Sequence, residues 1–268
     1  AGTEPITSQV IDRAKNLKLI SRVGIGLDSV DLIWAKRQGV EVSYTPDAPA
    51  PAVAELTIGM MLTLLRHMHV SNSQMHKGNW HRYFGRRIPE ITVGVIGVGR
   101  IGGRVLRRLS EFGTPRVFVN DLKPVPNVVE DLKLEWVDKG TIFKEADLIS
   151  VHVPLTKLTK NMIRYEHLKA MKTDAMVINA SRGGIINEAD LARTLSEGHL
   201  SGAAVDVFEQ EPYTGPLCEI ENCLLTAHMG SMSVDCRNRM EIEATEEAVR
   251  FVKGEPLLSP VPPEEYEV

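Results

Sequence analysis

The chain has 268 residues, 43% of them hydrophobic and 25% charged, which is enough to build a sizeable core and to form two domains. It carries 31 Lys plus Arg against 35 Asp plus Glu, a formal net charge of -4 without a long basic block, which argues against a nucleic-acid partner. The longest apolar stretch with a helical pattern, residues 56–65, is about half of the roughly 20 residues that cross a bilayer, so we expect no membrane segment.

The first part of the chain is typical of a small α/β unit. Residues 17–23 are predicted to form a strand that the glycine-rich turn 24–26 ends, and residues 40–44 are predicted to form the next strand. Three prolines between positions 46 and 51 cannot continue a helix or a central strand. We therefore interpret residues 46–51 as a connector that ends the first domain.

A long helix is predicted over residues 52–66. It is apolar on nearly every side, so more than one face must be covered. A dimer interface would cover the helix, and so would burial within its own subunit. The sequence leaves both interpretations open.

From residue 91 onward, short β-branched runs alternate with helices, which is typical of an α/β fold with a parallel, doubly wound, Rossmann-type sheet. A final helix over 234–253 is expected to return to the first domain, and an acidic, proline-containing tail ends at Val268. This predicts a substrate domain of residues 1–50 plus 236–268 and a dinucleotide-binding domain of residues 51–235. The strands of the second domain are predicted at 92–96, 117–120, 148–153, 175–180, 203–208 and 223–227, with helices at 101–111, 165–171 and 188–196.

A glycine-rich turn marks a candidate dinucleotide site. Residues 97–102 follow a predicted strand and open a helix, which is the setting that a GxGxxG fingerprint requires. Gly97 permits the tight turn, Gly99 lets the backbone approach a pyrophosphate, and Gly102 lets the helix pack closely on the strand. The N–H groups of the helix N-terminus would face the phosphate charge. The predicted cofactor contacts of this turn are Gly97, Gly99, Arg100, Ile101 and Gly102.

Asp121 strengthens that prediction because it ends the next strand, nineteen positions after Gly102. A carboxylate there can accept hydrogen bonds from the adenosine ribose hydroxyls and repels a 2′-phosphate, which favours NAD over NADP. Arg100 and Lys123 lie nearby and leave NADP open. The alternative is a structural turn followed by an unrelated Asp at a strand end.

Polar side chains follow three of the predicted strands. Arg182, Glu211 and His228 would lie at the same edge as the glycine-rich turn, where open α/β sheets bind ligands. His suits the proton transfer that accompanies hydride transfer, a carboxylate fixes its tautomer, and Arg binds a substrate carboxylate in a forked geometry. Each residue alone is more often a surface or packing residue, and their coincidence at one edge favours the catalytic interpretation.

The cysteines favour a reducing compartment. Cys218, Cys223 and Cys236 are odd in number and form no CxxC pair, and the first residues lack the pattern of a secretory signal. We therefore expect a cytoplasmic protein. A metal site of Cys218, Cys223 and His228 has no common zinc spacing, so we predict no metal.

With these motifs in order, the sequence resembles the D-isomer-specific 2-hydroxyacid dehydrogenase family over nearly its whole length, and within it most closely the D-3-phosphoglycerate dehydrogenases. The ordered matches make the resemblance highly specific. The matching segments are residues 23–31, 53–57, 97–102, 152–156, 171–172, 178–184, 202–208, 211–212 and 225–230.

The resemblance implies an NAD-dependent oxidoreductase that acts on C2 of a small D-2-hydroxy or 2-keto acid. It implies a smaller, flavodoxin-like substrate domain that hinges against the NAD domain, and a homodimer built by the helix after Pro51. Its implied catalytic residues are Arg182, Glu211 and His228. The substrate carboxylate would be held by Gly24, Ile25, Gly26 and Arg182. The nicotinamide half of NAD would contact Val153, Pro154, Ala180, Arg182, Asp206, His228 and Gly230.

Several positions depart from the family. Relatives normally carry about fifty further residues before the part matching Ala1, so we expect the substrate domain to be incomplete at its N-terminus. Pro is common where Ala227 stands, and no regulatory domain is expected after Val268. Arg22 could meet a substrate phosphate, although relatives with other substrates also have a basic residue there.

Two other functions fit the same motifs. One is an NAD-sensing binding protein related to co-repressors of this fold, which can keep the Arg, Glu and His. The other is oxidation of formate or phosphite, although Glu211 stands where formate dehydrogenases usually have Gln.

Overall fold

The computed structural model describes residues 1–2, 4–113, 115–125, 128–129 and 132–266. The chain divides into two compact units, Ala1–Ala52 with Ser231–Val268, and Val53–Gly230. The last two residues of the predicted acidic tail lie outside the described residues. In chain order, the elements are α1 (Ser8–Arg13), β1 (Leu19–Ser21), α2 (Leu32–Arg37), β2 (Glu41–Ser43), α3 (Ala50–Leu65), α4 (Met68–His76), β3 (Thr92–Ile96), α5 (Arg100–Ser110), β4 (Arg116–Asn120), β5 (Leu134–Trp136), α6 (Lys139–Glu145), β6 (Leu148–Val151), α7 (Tyr165–Ala170), β7 (Met176–Asn179), α8 (Glu188–Ser196), β8 (Gly202–Val205), β9 (Cys223–Leu225) and α9 (Val234–Val252).

The larger unit contains a seven-stranded sheet in which every neighbouring pair is parallel. The strand order is β5-β4-β3-β6-β7-β8-β9. The strand order reverses at β3, because β4 lies on one side of it and β6 on the other. The doubly wound parallel sheet predicted from the sequence is confirmed, and the reversal creates the crevice in which such sheets bind ligands.

Alternation along the strands supplies two hydrophobic cores. Val93, Val95, Val117 and Val119 belong to one buried cluster together with residues of α3 and α5. Their neighbour Phe118 belongs to a second cluster with residues of α6, α7 and α8. Since successive strand residues point to opposite faces, both faces of the sheet are covered by helices.

The smaller unit is built on a parallel pair, β1 with β2, in which Ile20 lies opposite Val42. Both side chains are buried in a separate cluster with residues of α1 and α2. The C-terminal helix α9 joins this unit, and the Ser21 hydroxyl donates to the Ala244 carbonyl at 2.6 Å. The flavodoxin-like character of this domain and its expected incompleteness at the N-terminus stay predictions.

The structure corrects three local expectations. Helix α3 begins at Ala50, so Pro51 lies in its first turn and not in a connector. Proline is tolerated there because a first-turn N–H has no intrahelical acceptor to lose. Strand β5 and helix α6 were not predicted, and the predicted strands near 148–153 and 203–208 end at Val151 and Val205.

Among the described residues, no helix combines the length and the apolar character needed to cross a bilayer.

Candidate active site

The glycine-rich turn joins β3 to α5. Gly97 has φ of 96°, and a Cβ there would overlap the His152 carbonyl oxygen. A Cβ on Gly102 would overlap the Gly97 carbonyl oxygen, so this glycine lets α5 pack directly on the turn. A Cβ on Gly99 would meet no described atom within 4 Å, which leaves open space where a pyrophosphate could approach.

The helix N-terminus supports the same use. Gly99 caps α5, and the first intrahelical bond runs from the Gly103 N–H to the Gly99 carbonyl at 2.9 Å. Arg100, Ile101 and Gly102 form the first turn, whose N–H groups have no intrahelical acceptor. Anions bind at such helix ends, so the residues present fit a dinucleotide pyrophosphate.

Asp121 follows β4 and is tied to the glycine-rich turn. Its Oδ2 accepts from the Val98 N–H at 2.6 Å and its Oδ1 from the Leu122 N–H at 2.6 Å. A carboxylate has about four acceptor positions, so two remain for ribose hydroxyls. The carboxylate is therefore held in a fixed orientation beside the turn.

His152 lies just past β6, behind the turn. Its Nε2 is 2.8 Å from the Ser150 hydroxyl. Burial lowers the pKa of His152 from 6.5 to about 4, so the ring is neutral near pH 7.

Val153 is next in the chain, and its Cγ1 would lie 3.0 Å from a Cβ on Gly97. The Pro154 carbonyl accepts from the Thr159 hydroxyl at 2.6 Å.

Glu211 and His228 are brought together by the loops after β8 and β9. His228 Nδ1 lies 2.8 Å from Glu211 Oε2, and both side chains are about one-third exposed. Glu211 Oε1 accepts from the Phe208 N–H at 3.1 Å, which orients the carboxylate. With Nδ1 occupied by the carboxylate, Nε2 is the ring atom left to exchange a proton.

Asp206 holds the segment that presents His228. It is 1% exposed, and its carboxylate accepts from the Thr226 hydroxyl at 2.5 Å and from the N–H groups of Met229 and Gly230 at 2.7 and 2.8 Å. His228 adopts φ of 51°, a left-handed conformation that costs a non-glycine residue roughly 1 kcal/mol or more. The three bonds to Asp206 offset that cost.

Arg182 follows β7, which is next to β8 in the sheet. The buried Asn179 side chain accepts from the Ser181 N–H at 3.2 Å and donates to the Arg182 carbonyl at 2.8 Å. The Arg182 guanidinium donates to the Ser181 carbonyl at 2.7 Å. A Cβ on Gly183 would overlap the backbone of Phe208, so the loop carrying Arg182 contacts the loop carrying Glu211.

The predicted carboxylate-binding turn belongs to the other compact unit. Gly24 has φ of 134°, and its N–H donates to the Thr45 hydroxyl at 2.8 Å. The Arg22 side chain is 5% exposed, and its Nη1 would lie 3.3 Å from a Cβ on Gly24. Ile25 packs against the core of this unit. Gly26 follows the bend of residues 23–25.

Of the other predicted contacts, Ala180 is 6% exposed at the end of β7, and Gly230 is buried against Asp206. Within the part of the chain that the structure describes, no group of three or more His, Cys, Asp or Glu side chains is arranged to hold a metal ion. Cys218, Cys223 and Cys236 are free thiols.

Sequence reasoning did not assign roles to Asn179, Thr226 or Glu188. Asn179 donates to the Arg182 carbonyl, and Thr226 donates to the Asp206 carboxylate. Glu188 Oε1 accepts from the Glu209 N–H at 2.6 Å. Their sequence signal is weak because a polar residue at a strand end or helix start usually caps a local turn.

The chain is similar to known proteins both in sequence and in structure. Residues 58–230 match the model of the family described as D-isomer specific 2-hydroxyacid dehydrogenase, NAD binding domain. The chain is 38% identical over 247 residues to a hydroxypyruvate reductase of Thermotoga maritima, covering 90% of this chain and 79% of that protein. It is 36% identical over 259 residues to a D-3-phosphoglycerate dehydrogenase of Methanocaldococcus jannaschii, covering 95% of this chain and 49% of that protein. The structure of a D-lactate dehydrogenase of Aquifex aeolicus complexed with NAD and lactic acid superimposes with a TM-score of 0.87 at 30% identity, covering 93% of this chain and 80% of that one.

Proposed function

Because the chain belongs to the D-isomer-specific 2-hydroxyacid dehydrogenase family, we propose that it transfers a hydride between NAD(H) and C2 of a small D-2-hydroxy or 2-keto acid at Arg182, Glu211 and His228. The 2.8 Å contact between His228 Nδ1 and Glu211 Oε2 carries this proposal. It supplies an oriented acid and base at the edge of the sheet that also bears the glycine-rich turn.

His228 handles the proton. NADH, when bound, would supply the hydride for C2 in the direction of reduction. The His228 imidazolium would donate the proton from Nε2 to the carbonyl oxygen. The Glu211 carboxylate keeps the Nδ1 proton in place and stabilises the positive ring before the transfer. In the direction of oxidation, neutral His228 takes the hydroxyl proton.

Arg182 and the turn 24–26 bind the substrate carboxylate in this proposal. A guanidinium matches a carboxylate in a forked geometry and polarises the neighbouring carbonyl. Since the Gly24 N–H already donates to Thr45, the amides proposed to meet the substrate are those of Ile25 and Gly26.

The substrate side chain is proposed to be small. Arg22 beside Gly24 supports a second anionic group, as in 3-phosphoglycerate. The hydroxypyruvate reductase relative equally supports an uncharged hydroxymethyl group. The proposed substrate is therefore 3-phosphoglycerate or a related small hydroxy acid.

We also propose the domain division 1–50 plus 236–268 and 51–235, a cytoplasmic location and a homodimer. Met60, Met61, Leu64 and Leu65 of α3 are at most 2% exposed, so burial within the subunit covers much of this helix. Apolar side chains that follow α4 support a dimer contact in that region instead. Trp80 is 81% exposed and Phe84 is 99% exposed.

The experiment is a substrate panel read by NADH absorbance. Phosphohydroxypyruvate, hydroxypyruvate, glyoxylate and pyruvate are each mixed with NADH and the protein, and we expect consumption with at least one. His228→Ala should bind NADH normally and lose at least about a hundred-fold in kcat. Full turnover in His228→Ala would remove His228 from the mechanism, and NADH binding without consumption of any acid would favour the sensor.

A further inference from the structure

Glu188 links two loops that carry the proposed catalytic residues. It is the first residue of α8 and follows the helix cap Asn187, whose side chain accepts from the Asp190 N–H at 3.0 Å. Its Oε1 accepts from the N–H of a residue outside the helix, Glu209, at 2.6 Å. A hydrogen bond from an N–H to an ionised carboxylate belongs to the stronger class of protein hydrogen bonds.

The turn that receives this bond is the one from which Glu211 reaches His228. Phe208 donates its N–H to Glu211 Oε1, and the Phe208 ring stacks on Tyr213 at 4.2 Å between centroids. On the other side, the turn rests on Gly183, where a Cβ would overlap the Phe208 carbonyl. The turn is thus held by a ring stack, a close backbone contact and the Glu188 carboxylate.

The surroundings of Glu188 are acidic. Burial, the largest cause, raises the pKa of Glu188 above its ordinary 4.5, and the charges of Glu209 and Glu211 raise it further, while the Glu209 N–H opposes the shift. Tyr213 also faces it. Glu188 thus lies beside the charges of Glu209 and Glu211 while its carboxylate holds the turn.

We propose that Glu188 is a positioning residue for the catalytic pair, fixing through the Glu209 N–H the turn from which Glu211 contacts His228. The inference rests on the proposed function of Glu211 and His228. It gives Glu188 no contact with substrate or cofactor.

Two variants separate the hydrogen bond from the charge. Glu188→Ala removes both, and we expect kcat to fall roughly ten-fold with KM for NADH unchanged, because a hydrogen bond to a charged group contributes enough to account for that factor. Glu188→Gln keeps an acceptor oxygen, so its kcat near neutral pH should stay within about three-fold of wild type.

Glu209→Gln is the matched control. It removes an exposed charge from the same cluster and leaves the Glu209 N–H in place, so kcat should be unchanged. A catalytic defect in Glu209→Gln as large as that in Glu188→Ala would overturn the proposal, since charge alone would then explain the effect.

Amide hydrogen exchange of a peptide covering 208–213 tests the positioning without turnover. Glu188→Ala should exchange faster there, while Glu188→Gln and Glu209→Gln should match wild type. Unchanged exchange in Glu188→Ala overturns the proposal, and so does faster exchange with wild-type kcat. If the wild-type protein reduces no acid at all, the proposed function fails, and exchange still decides whether Glu188 holds the turn. If Glu188→Ala does not fold, Glu188→Asp decides, because its carboxylate is one methylene shorter and should lose the bond to the Glu209 N–H. Exchange across 208–213 should then be faster than in wild type, and unchanged exchange overturns the proposal.

Discussion

The two halves of the carboxyl edge of the sheet differ in emphasis, although Asp121 accepts backbone N–H groups in the first and Gly183 allows a close contact in the second. Around β3 and β4, the shape comes from missing side chains, since Gly97 and Gly102 let a turn, a helix and the end of β6 touch. After β8 and β9, the shape comes from side chains that bond the backbone, with Asp206 and Glu211 each accepting an N–H. An added methyl group should therefore disrupt the first half, and the loss of a hydrogen-bond acceptor should disrupt the second.

Asp206→Asn should give the largest effect, because it removes an acceptor from the second half. An amide has one acceptor oxygen, so its NH₂ group must face either the Gly230 N–H, or the Met229 N–H together with the Thr226 hydroxyl. We expect kcat/KM to fall roughly a hundred-fold as His228 moves, and the free energy of unfolding to fall by about 3 kcal/mol. Steady-state kinetics and urea unfolding measure both.

Thr226→Val is the matched control for that change. It deletes one donor to Asp206 and leaves both N–H bonds, so its loss in kcat/KM should stay below roughly ten-fold. If Asp206→Asn kept wild-type kcat/KM, the acceptor-built description of this half would be wrong.

Gly102→Ala is the corresponding change in the first half. The new methyl group would overlap the Gly97 carbonyl, so α5 must shift from the turn. We expect the free energy of unfolding to fall by about 2 kcal/mol and NADH binding to weaken roughly thirty-fold. Fluorescence titration with NADH and urea unfolding measure these effects.

Gly103→Ala tests whether the overlap of the new methyl group causes the losses expected in Gly102→Ala. It lies next along α5, and its Cβ would meet Val128 Cγ1 at 3.4 Å, an ordinary contact. Since alanine favours a helix over glycine by about 1 kcal/mol, Gly103→Ala should be as stable as wild type or more stable. Equal losses in both variants would mean that helix α5 rejects any side chain in its first turns, and the packing argument for Gly102 would fail.

The same contrast explains what the sequence could predict. The sheet and the glycine-rich turn were predictable because alternation and glycine spacing are local signals. Helix α6 was missed because only Ile142 and Phe143 of its seven residues are buried, so the helical spacing of apolar residues is too weak to recognise. The bond from Asp206 to Gly230 spans 24 positions and depends on the path of a loop, so no local pattern encodes it. Family resemblance could name Glu211 and His228 as a pair, but not the residues that hold them.

His152 gives a smaller, pH-dependent test at the boundary between the two halves. Its pKa is about 4 in the folded protein against an ordinary 6.5, so the unfolded chain binds more protons between these values. The stability that His152 contributes is therefore complete above pH 6.5 and is lost as the pH falls toward 4, an effect on the order of 2 kcal/mol.

His152→Gln isolates that effect. Glutamine does not titrate and can still reach the Ser150 hydroxyl, so the drop in unfolding free energy between neutral pH and about pH 5 should be smaller than in wild type. Urea unfolding of both proteins at both pH values measures the two drops in unfolding free energy. The carboxylates are the same in both proteins, so their contribution cancels when the drops are compared. Equal drops would show that the His152 ring is protonated in the folded state as easily as in the unfolded chain.

Gly99→Ala should give the smallest effect, because only the ligand requires glycine at this position. Its Cβ would meet no described atom within 4 Å, and its φ of -79° suits any residue, so the fold itself does not require glycine there. If a pyrophosphate approaches this backbone, a methyl group should weaken NADH binding roughly ten-fold and leave urea unfolding of the free protein unchanged. Gly102→Ala changes both quantities, so the pair separates a glycine needed by the protein from one needed by its ligand. Undiminished NADH affinity in Gly99→Ala would mean that the cofactor does not pass this residue, and the glycine-rich turn would then be a packing device alone.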